Sequence, residues 1–303
     1  MWSFGVGPIV LALALPATPP DPGPPRGEDA LAARLRPLIE AHRGQVAVMV
    51  RHLETGESFA YRADEAMPTA SLIKLAVMVE VYRQAAAGRV DLAAPVTLHQ
   101  EDKVPGSGIL TPHFSAGASF PLRDAVRLMI AFSDNTATNL VLDRIGIDAT
   151  SRAMADLGFP NTRIYAKVYR RDTSVCPERS RRFGLGSTTA AEMVRLCAAL
   201  HRREFGGAEA GAAMLEHLKA CDDRAKFPRF LPPGTSVAFK TGSVDAARTA
   251  AGIVYSPAGP IALCVLTSGN EDRRWTADNA GDRLCAEVAR AAYQHFNPSR
   301  DGG

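Results

Sequence analysis

Apolar residues recur along this chain with two different periods, and the switches between them outline an architecture. Leu31, Leu35, Leu38 and Ile39 share one face of a helix over residues 28–43, with Gly44 as its stop. Pro37 inside that stretch predicts a kink or an early turn. The pattern then tightens. Residues 46–50 and 58–61 are β-rich runs flanking Glu54-Thr-Gly-Glu57, the signal of a hairpin. From Ser71 a helical period returns, ending on Gly88. Helices follow over 121–132, with Pro121 in the first turn, and over 136–145 and 149–157. Residues 160–187 are irregular and basic. Thr189-x-x-Glu192 then reads as a capping box opening a helix to about His201. Three β-rich runs, 237–240, 251–255 and 261–267, precede a closing helix over 277–293. Strands at both ends around a helical middle predict a mixed α/β (α+β) chain: a sheet domain from 28–66 plus 212–297, interrupted by an all-helical domain over 67–211.

Composition narrows the function. The 303 residues are 46% hydrophobic and 22% charged, and 35 basic against 32 acidic residues give a net charge of +3. No basic block of nucleic-acid-binding size stands out, so nucleic acid is not an expected partner. The first 17 residues form an uncharged apolar stretch too short to cross a bilayer, ending near small residues. It lacks a basic start but otherwise reads as a signal peptide. Residues 18–27, rich in proline and glycine, read as a disordered lead-in. The expectation is an exported protein, periplasmic or secreted, with no stable membrane insertion, acting as a monomer on a small molecule.

Cys176, Cys197, Cys221, Cys264 and Cys285 permit at most two bridges and leave at least one thiol. No C-x-x-C occurs and the seven histidines have no ligand spacing, so neither a metal nor a cofactor is expected.

Three short elements carry the chemistry. Ser71-Leu-Ile-Lys74 is the one S-x-x-K of the chain. At a helix start it places Lys74 one turn from the hydroxyl, within reach of its proton, beside the positive end of the helix. Ser133-Asp-Asn135 lies between two helices, where a loop can aim Ser133 as a proton relay and Asn135 at the lysine and a substrate amide. Lys240-Thr-Gly242 ends a strand. Its cation and hydroxyl suit a substrate carboxylate, and Gly242 permits close backbone approach. The Ser243 N–H can share an oxyanion hole with that of Ser71. Each element alone reads equally as a cap or a turn; two of only six lysines fall within them.

In order and spacing the three elements resemble the class A β-lactamases and penicillin-binding proteins. The likeness runs from about residue 44 to 293 and includes ETGESFAYRADE, SDNTATNL, GLGSTTAAEM and KTGS. It implies an antiparallel sheet with helices on both faces, an inserted helical domain, and an active site between the two. It also implies an arginine beside the carboxylate pocket, for which Arg248 is the candidate and Arg273 and Arg274 weaker ones.

One part of the pattern is missing. Class A enzymes carry E-x-x-x-N in the loop before the T-T-P-type helix start, where the glutamate activates the deacylating water. Residues 163–180 contain no such motif; Glu178 is their one glutamate, with Asp172 as a shorter alternative. The sequence therefore supports acylation better than turnover. Three readings follow: a β-lactamase-like serine hydrolase with slow deacylation, a D-alanyl peptidase or esterase of the penicillin-binding type, and a sensor module that is acylated without turnover. The orientation of Glu178 separates the first from the others.

Overall fold

The computed structural model describes residues 1–2 and 27–298; most of the expected signal peptide and of its lead-in lies outside the described residues. The chain opens with α1 (Gly27–Glu40), which continues through Pro37, and the hairpin β1 (Gln45–His52) and β2 (Ser58–Tyr61). After the short β3 (Met67–Pro68), a 3₁₀ turn over Ala70–Ile73 leads into α2 (Lys74–Ala86). Then come β4 (Pro95–Thr97), α3 (Leu110–His113), β5 (Ser119–Pro121) and α4 (Leu122–Ala131). Pro121 thus ends a strand rather than starting a helix. Helices α5 (Asn135–Ile145) and α6 (Ile147–Asp156) precede β6 (Arg163–Ile164), α7 (Pro177–Phe183) and β7 (Gly186–Thr188). The last third holds α8 (Ala190–His201), α9 (Gly207–Lys219), β8 (Ser236–Val244), β9 (Ala247–Ser256), β10 (Gly259–Ser268) and α10 (Ala280–Phe296).

Five strands form one antiparallel sheet in the order β2-β1-β10-β9-β8. Strand alternation sorts its two faces by size. Val46, Val48, Val50, Phe239, Val254, Leu263 and Val265 pack with α1 and α10. Ala47, Ala238, Ala251, Ile253, Ala262, Cys264 and Leu266 face the other way. The small residues on that second face let α8 come close to β9 and β10. Its core is continuous with the one around α2, α4 and α5. The helical middle is therefore not walled off from the sheet by a separate core, and α8, from within 67–211, lies on the sheet itself.

The chain leaves the sheet from one edge strand, β2, and returns on the other, β8. That topology sets the end of β8 against the turn that begins α2.

No described helix is long and apolar enough to cross a membrane. All five cysteines are free thiols, four of them buried, and burial raises Cys197 to about 12.

Candidate active site

The nucleophile candidate stands on a strained turn. Ala70, just before Ser71, has φ +46°, a left-handed value unusual for a residue with a side chain. The turn is held from two sides. Thr69 N donates to Gly186 O at 3.0 Å, and Thr249 Oγ1 on β9 donates to Thr69 O at 2.8 Å. Gly242 on β8 sits against the same turn. A methyl group there would overlap Thr69 O, Thr249 Oγ1 and Leu72 N, so the glycine is a steric requirement.

Lys74 opens α2 and is fully buried. Its Nζ donates to Ser133 O at 2.6 Å, to Asn135 Oδ1 at 2.8 Å and to Ser133 Oγ at 3.3 Å. Burial holds its pKa well below the ordinary lysine value, Lys240 depresses it further, and Asp134 opposes both. Ser133 adopts φ +52°, the turn that lets its carbonyl and hydroxyl face the lysine together. Asp134, between the two, caps α5 by accepting from Ala137 N at 2.8 Å. Its other oxygen accepts from Ile109 N and Leu110 N, at 2.7 and 2.8 Å. The middle residue of the motif is thus structural and its neighbours face the site.

Lys240 follows Ala238 on the face of β8 turned toward the helices and is fully buried. It donates to Thr241 O at 2.8 Å, and burial lowers its pKa. Ser71, Ser133, Asn135, Thr241, Gly242 and Ser243 line one cavity of about 720 Å³; Lys74 and Lys240, both fully buried, are not on its wall.

Five of the candidate residues fall elsewhere. Arg248 is 1% exposed and absent from the cavity wall. Its guanidinium donates to the carbonyls of Val244, Ala247 (3.0 Å) and Arg274 (3.0 Å), with Nε 3.6 Å from Asp282 Oδ1. It braces the β8–β9 turn instead of facing a substrate. The cation nearer the site is Lys226, which sequence patterning missed. Its buried Nζ lies 3.1 Å from Ser243 Oγ, 3.0 Å from Asp223 Oδ2 and 3.1 Å from Asp282 Oδ1. Arg273 and Arg274 are likewise outside the wall; Arg274 is exposed and paired with Asp272 at 2.8 Å.

Glu178 is exposed on the first turn of α7 and does not line the cavity; nor does Asp172, which is exposed and 3.5 Å from Arg170. The loop presents Ala166, Lys167, Val168, Tyr169 and Arg171 to the cavity. Val168 is clamped by Asn139 on α5: its N–H donates to Asn139 Oδ1 at 2.8 Å, and its carbonyl accepts from Asn139 Nδ2 at 3.0 Å. The other end of the loop hangs on Glu192. Thr189 caps α8 as expected, accepting from Glu192 N at 3.1 Å. The Glu192 carboxylate, however, accepts from Asn161 N, Asn161 Nδ2 and Thr162 Oγ1, at 2.7–3.1 Å. It anchors the loop rather than completing a capping box.

A buried lysine bonded to one serine and one turn along the chain from another, with a lysine-bearing strand packed against the same turn, is the constellation of a serine acyl-transfer enzyme. The profile of the Beta-lactamase enzyme family matches residues 30–296, and the chain belongs to that family. A β-lactamase of Streptomyces fradiae is 29% identical over 298 residues, covering 94% of this chain and 92% of its own. The crystal structure of a β-lactamase from Sphaerobacter thermophilus DSM 20745 superposes with a TM-score of 0.76 at 30% identity, covering 89% of this chain and 97% of that one. The structure of PBP-A, 23% identical, shares the fold with a TM-score of 0.76 over 88% and 96% of the two chains.

Proposed function

We propose that this protein is a serine β-lactamase-like hydrolase that opens a β-lactam through an acyl-enzyme on Ser71 and releases it slowly. The observation that carries the reading is Lys74, a buried amine of depressed pKa bonded to Ser133 and Asn135 beside the Ser71 turn. Neutral Lys74 takes the Ser71 hydroxyl proton while Oγ adds to the lactam carbonyl. The N–H groups of Ser71 and Ser243 receive the oxyanion. As the carbonyl carbon–nitrogen bond breaks, Ser133 protonates the nitrogen and recovers a proton from Lys74. Lys240, Thr241 and Ser243, supported by Lys226, hold the substrate carboxylate. Water must then cleave the ester, and the loop offers Val168 to the cavity in place of a carboxylate.

Export and a monomeric state belong to the same proposal. They rest on the N-terminal pattern of residues 1–17 and on a site built from one chain.

Intact-mass spectrometry after mixing with a penicillin tests the chemistry. The expected result is a gain equal to the whole penicillin, because the ring nitrogen stays tethered, persisting while excess penicillin is consumed slowly. Ser71→Ala should show no gain. An adduct that survives this substitution would overturn the assignment of the nucleophile. An adduct that never decays would make the protein a penicillin-binding sensor.

A further inference from the structure

The cavity wall that includes Thr241 and Ser243 also carries acid. Asp222, Asp223, Thr241, Ser243, Val244 and Trp275 line it together. Asp223 is committed to Lys226, and Asp282 is shared by Lys226 and Arg248. Asp222 is exposed and has no ion-pair or side-chain hydrogen-bond partner among the described residues, although Lys240 and Arg224 are near enough to lower its pKa. Around Ser243 and Val244 the four cations Arg224, Lys226, Lys240 and Arg248 balance the four aspartates Asp222, Asp223, Asp245 and Asp282. A substrate carboxylate arriving at Lys240 and Thr241 tips that balance to a net negative charge. The excess grows if Lys240 gives up its proton. Although Asp222 is exposed, partial desolvation at the cavity wall already raises its carboxyl.

Trp275 supplies a second, independent observation. It is 68% exposed on the wall of the same cavity, and Val244 beside the Arg248 brace is 48% exposed. The Arg248 guanidinium lies 4.7 Å from the Trp275 ring centre and occupies one face of the indole. An exposed aromatic face and an unpaired carboxylate are the two groups that recognise organic cations.

We infer that Asp222 and Trp275 select substrates bearing a cationic substituent next to the carboxylate that Lys240 and Thr241 bind. The ligand class is zwitterionic: an acyl donor whose leaving side carries both a carboxylate and an ammonium or pyridinium group. Asp222 pairs with the cation, restoring the charge balance, and the open side of Trp275 covers its apolar surface. This inference rests on the acyl-enzyme reading, and its test separates the two.

Two cephalosporins with the same acyl side chain serve as probes. One carries a carbon-linked N-methylpyridinium at C3, the position adjacent to the ring carbon bearing the carboxylate; the other carries a phenyl group there. Neither substituent is expelled on acylation, so adduct formation can be timed by intact mass for both. The cationic probe should acylate the protein about fivefold faster than the phenyl one, the size of one screened ion pair. Asp222→Asn should slow the cationic probe and speed the phenyl one, bringing the ratio near unity. Trp275→Ala should reduce the ratio about twofold. A merely structural Asp222 would move both rates in the same direction, and that result, or an unchanged ratio, overturns the inference while leaving the acyl-enzyme reading intact. Absence of any adduct with either probe overturns both.

Discussion

The wall built from the Ser71 turn, Ser133 and β8 and the wall built from the 163–185 loop face one cavity, yet they use polar residues in opposite ways. On the first, Lys74, Ser133 and Asn135 bond to one another and leave reactive atoms toward the cavity. On the second, polar groups turn inward to hold the loop. Glu192 binds Asn161 and Thr162, Asn139 clamps Val168, and Tyr165 OH meets Ser187 Oγ at 2.5 Å and accepts from Arg179 Nε at 2.8 Å. A well-ordered loop is therefore no evidence of a catalytic one. This loop is fastened by buried hydrogen bonds, while the residue that Asn139 clamps at the cavity wall, Val168, is apolar and its charged neighbours Lys167 and Arg171 are cations rather than acids.

The contrast breaks most severely at Lys74. Lys74→Arg keeps the positive charge but cannot shed the proton, so acylation should fall about a thousandfold in a stopped-flow assay. In the wild type acylation should rise with pH as Lys74 deprotonates and level off below the ordinary lysine value of about 10.4, because burial lowers this pKa. The same shift has a stability signature. Between the depressed pKa and about 10.4 the folded state binds fewer protons than the unfolded one, so stability contributed by this site grows as pH rises through that window.

The opposite wall can be converted. Val168→Glu puts a carboxylate at the position fixed by Asn139 and should hasten loss of the penicillin adduct about a hundredfold, with acylation changed much less. Unaltered adduct lifetime in a folded variant would mean that the missing acid is not what limits release. Lys240→Ala should lower acylation about thirtyfold for a free-acid penicillin and far less for its methyl ester, near the cost of one charge-assisted contact. Equal losses would make Lys240 structural. The smallest effect belongs to Glu178→Gln. An exposed residue outside the cavity should leave adduct formation and decay within about twofold, as surface substitutions generally do.

Much of the acylating wall was legible in the sequence because its parts sit at fixed positions on regular elements. A serine three residues before a lysine at a helix start, or a lysine within a β-rich run, can be placed without knowing the fold, although β8 does not end at Lys240 as expected but continues to Val244. Arg248 could not be. It pairs with Ser243 across β8 and β9, but the turn geometry that bends its guanidinium back to Val244 O is tertiary. Lys226 belongs to no motif; its signal was only its rarity, one of six lysines, beside two aspartates. Helix α9 went unread because glycines and alanines blur its apolar face. Glu192 showed the right residue at the right spacing for a capping box, yet the N–H groups of Asn161 and the hydroxyl of Thr162 outcompeted the helix for its carboxylate.

The missing side chain of Gly242 has a mechanical corollary. With no space between β8 and the Thr69–Leu72 turn, and with Thr249 bonded to both Thr69 O and Gly242 O, the nucleophile and the anion-binding strand travel as a single rigid piece. Breathing of the cleft must then come from the loop and the Ser133 corner, so a bulky acyl group would be admitted by displacing the wall that holds the acyl chain, with the attack trajectory on the carbonyl left unchanged.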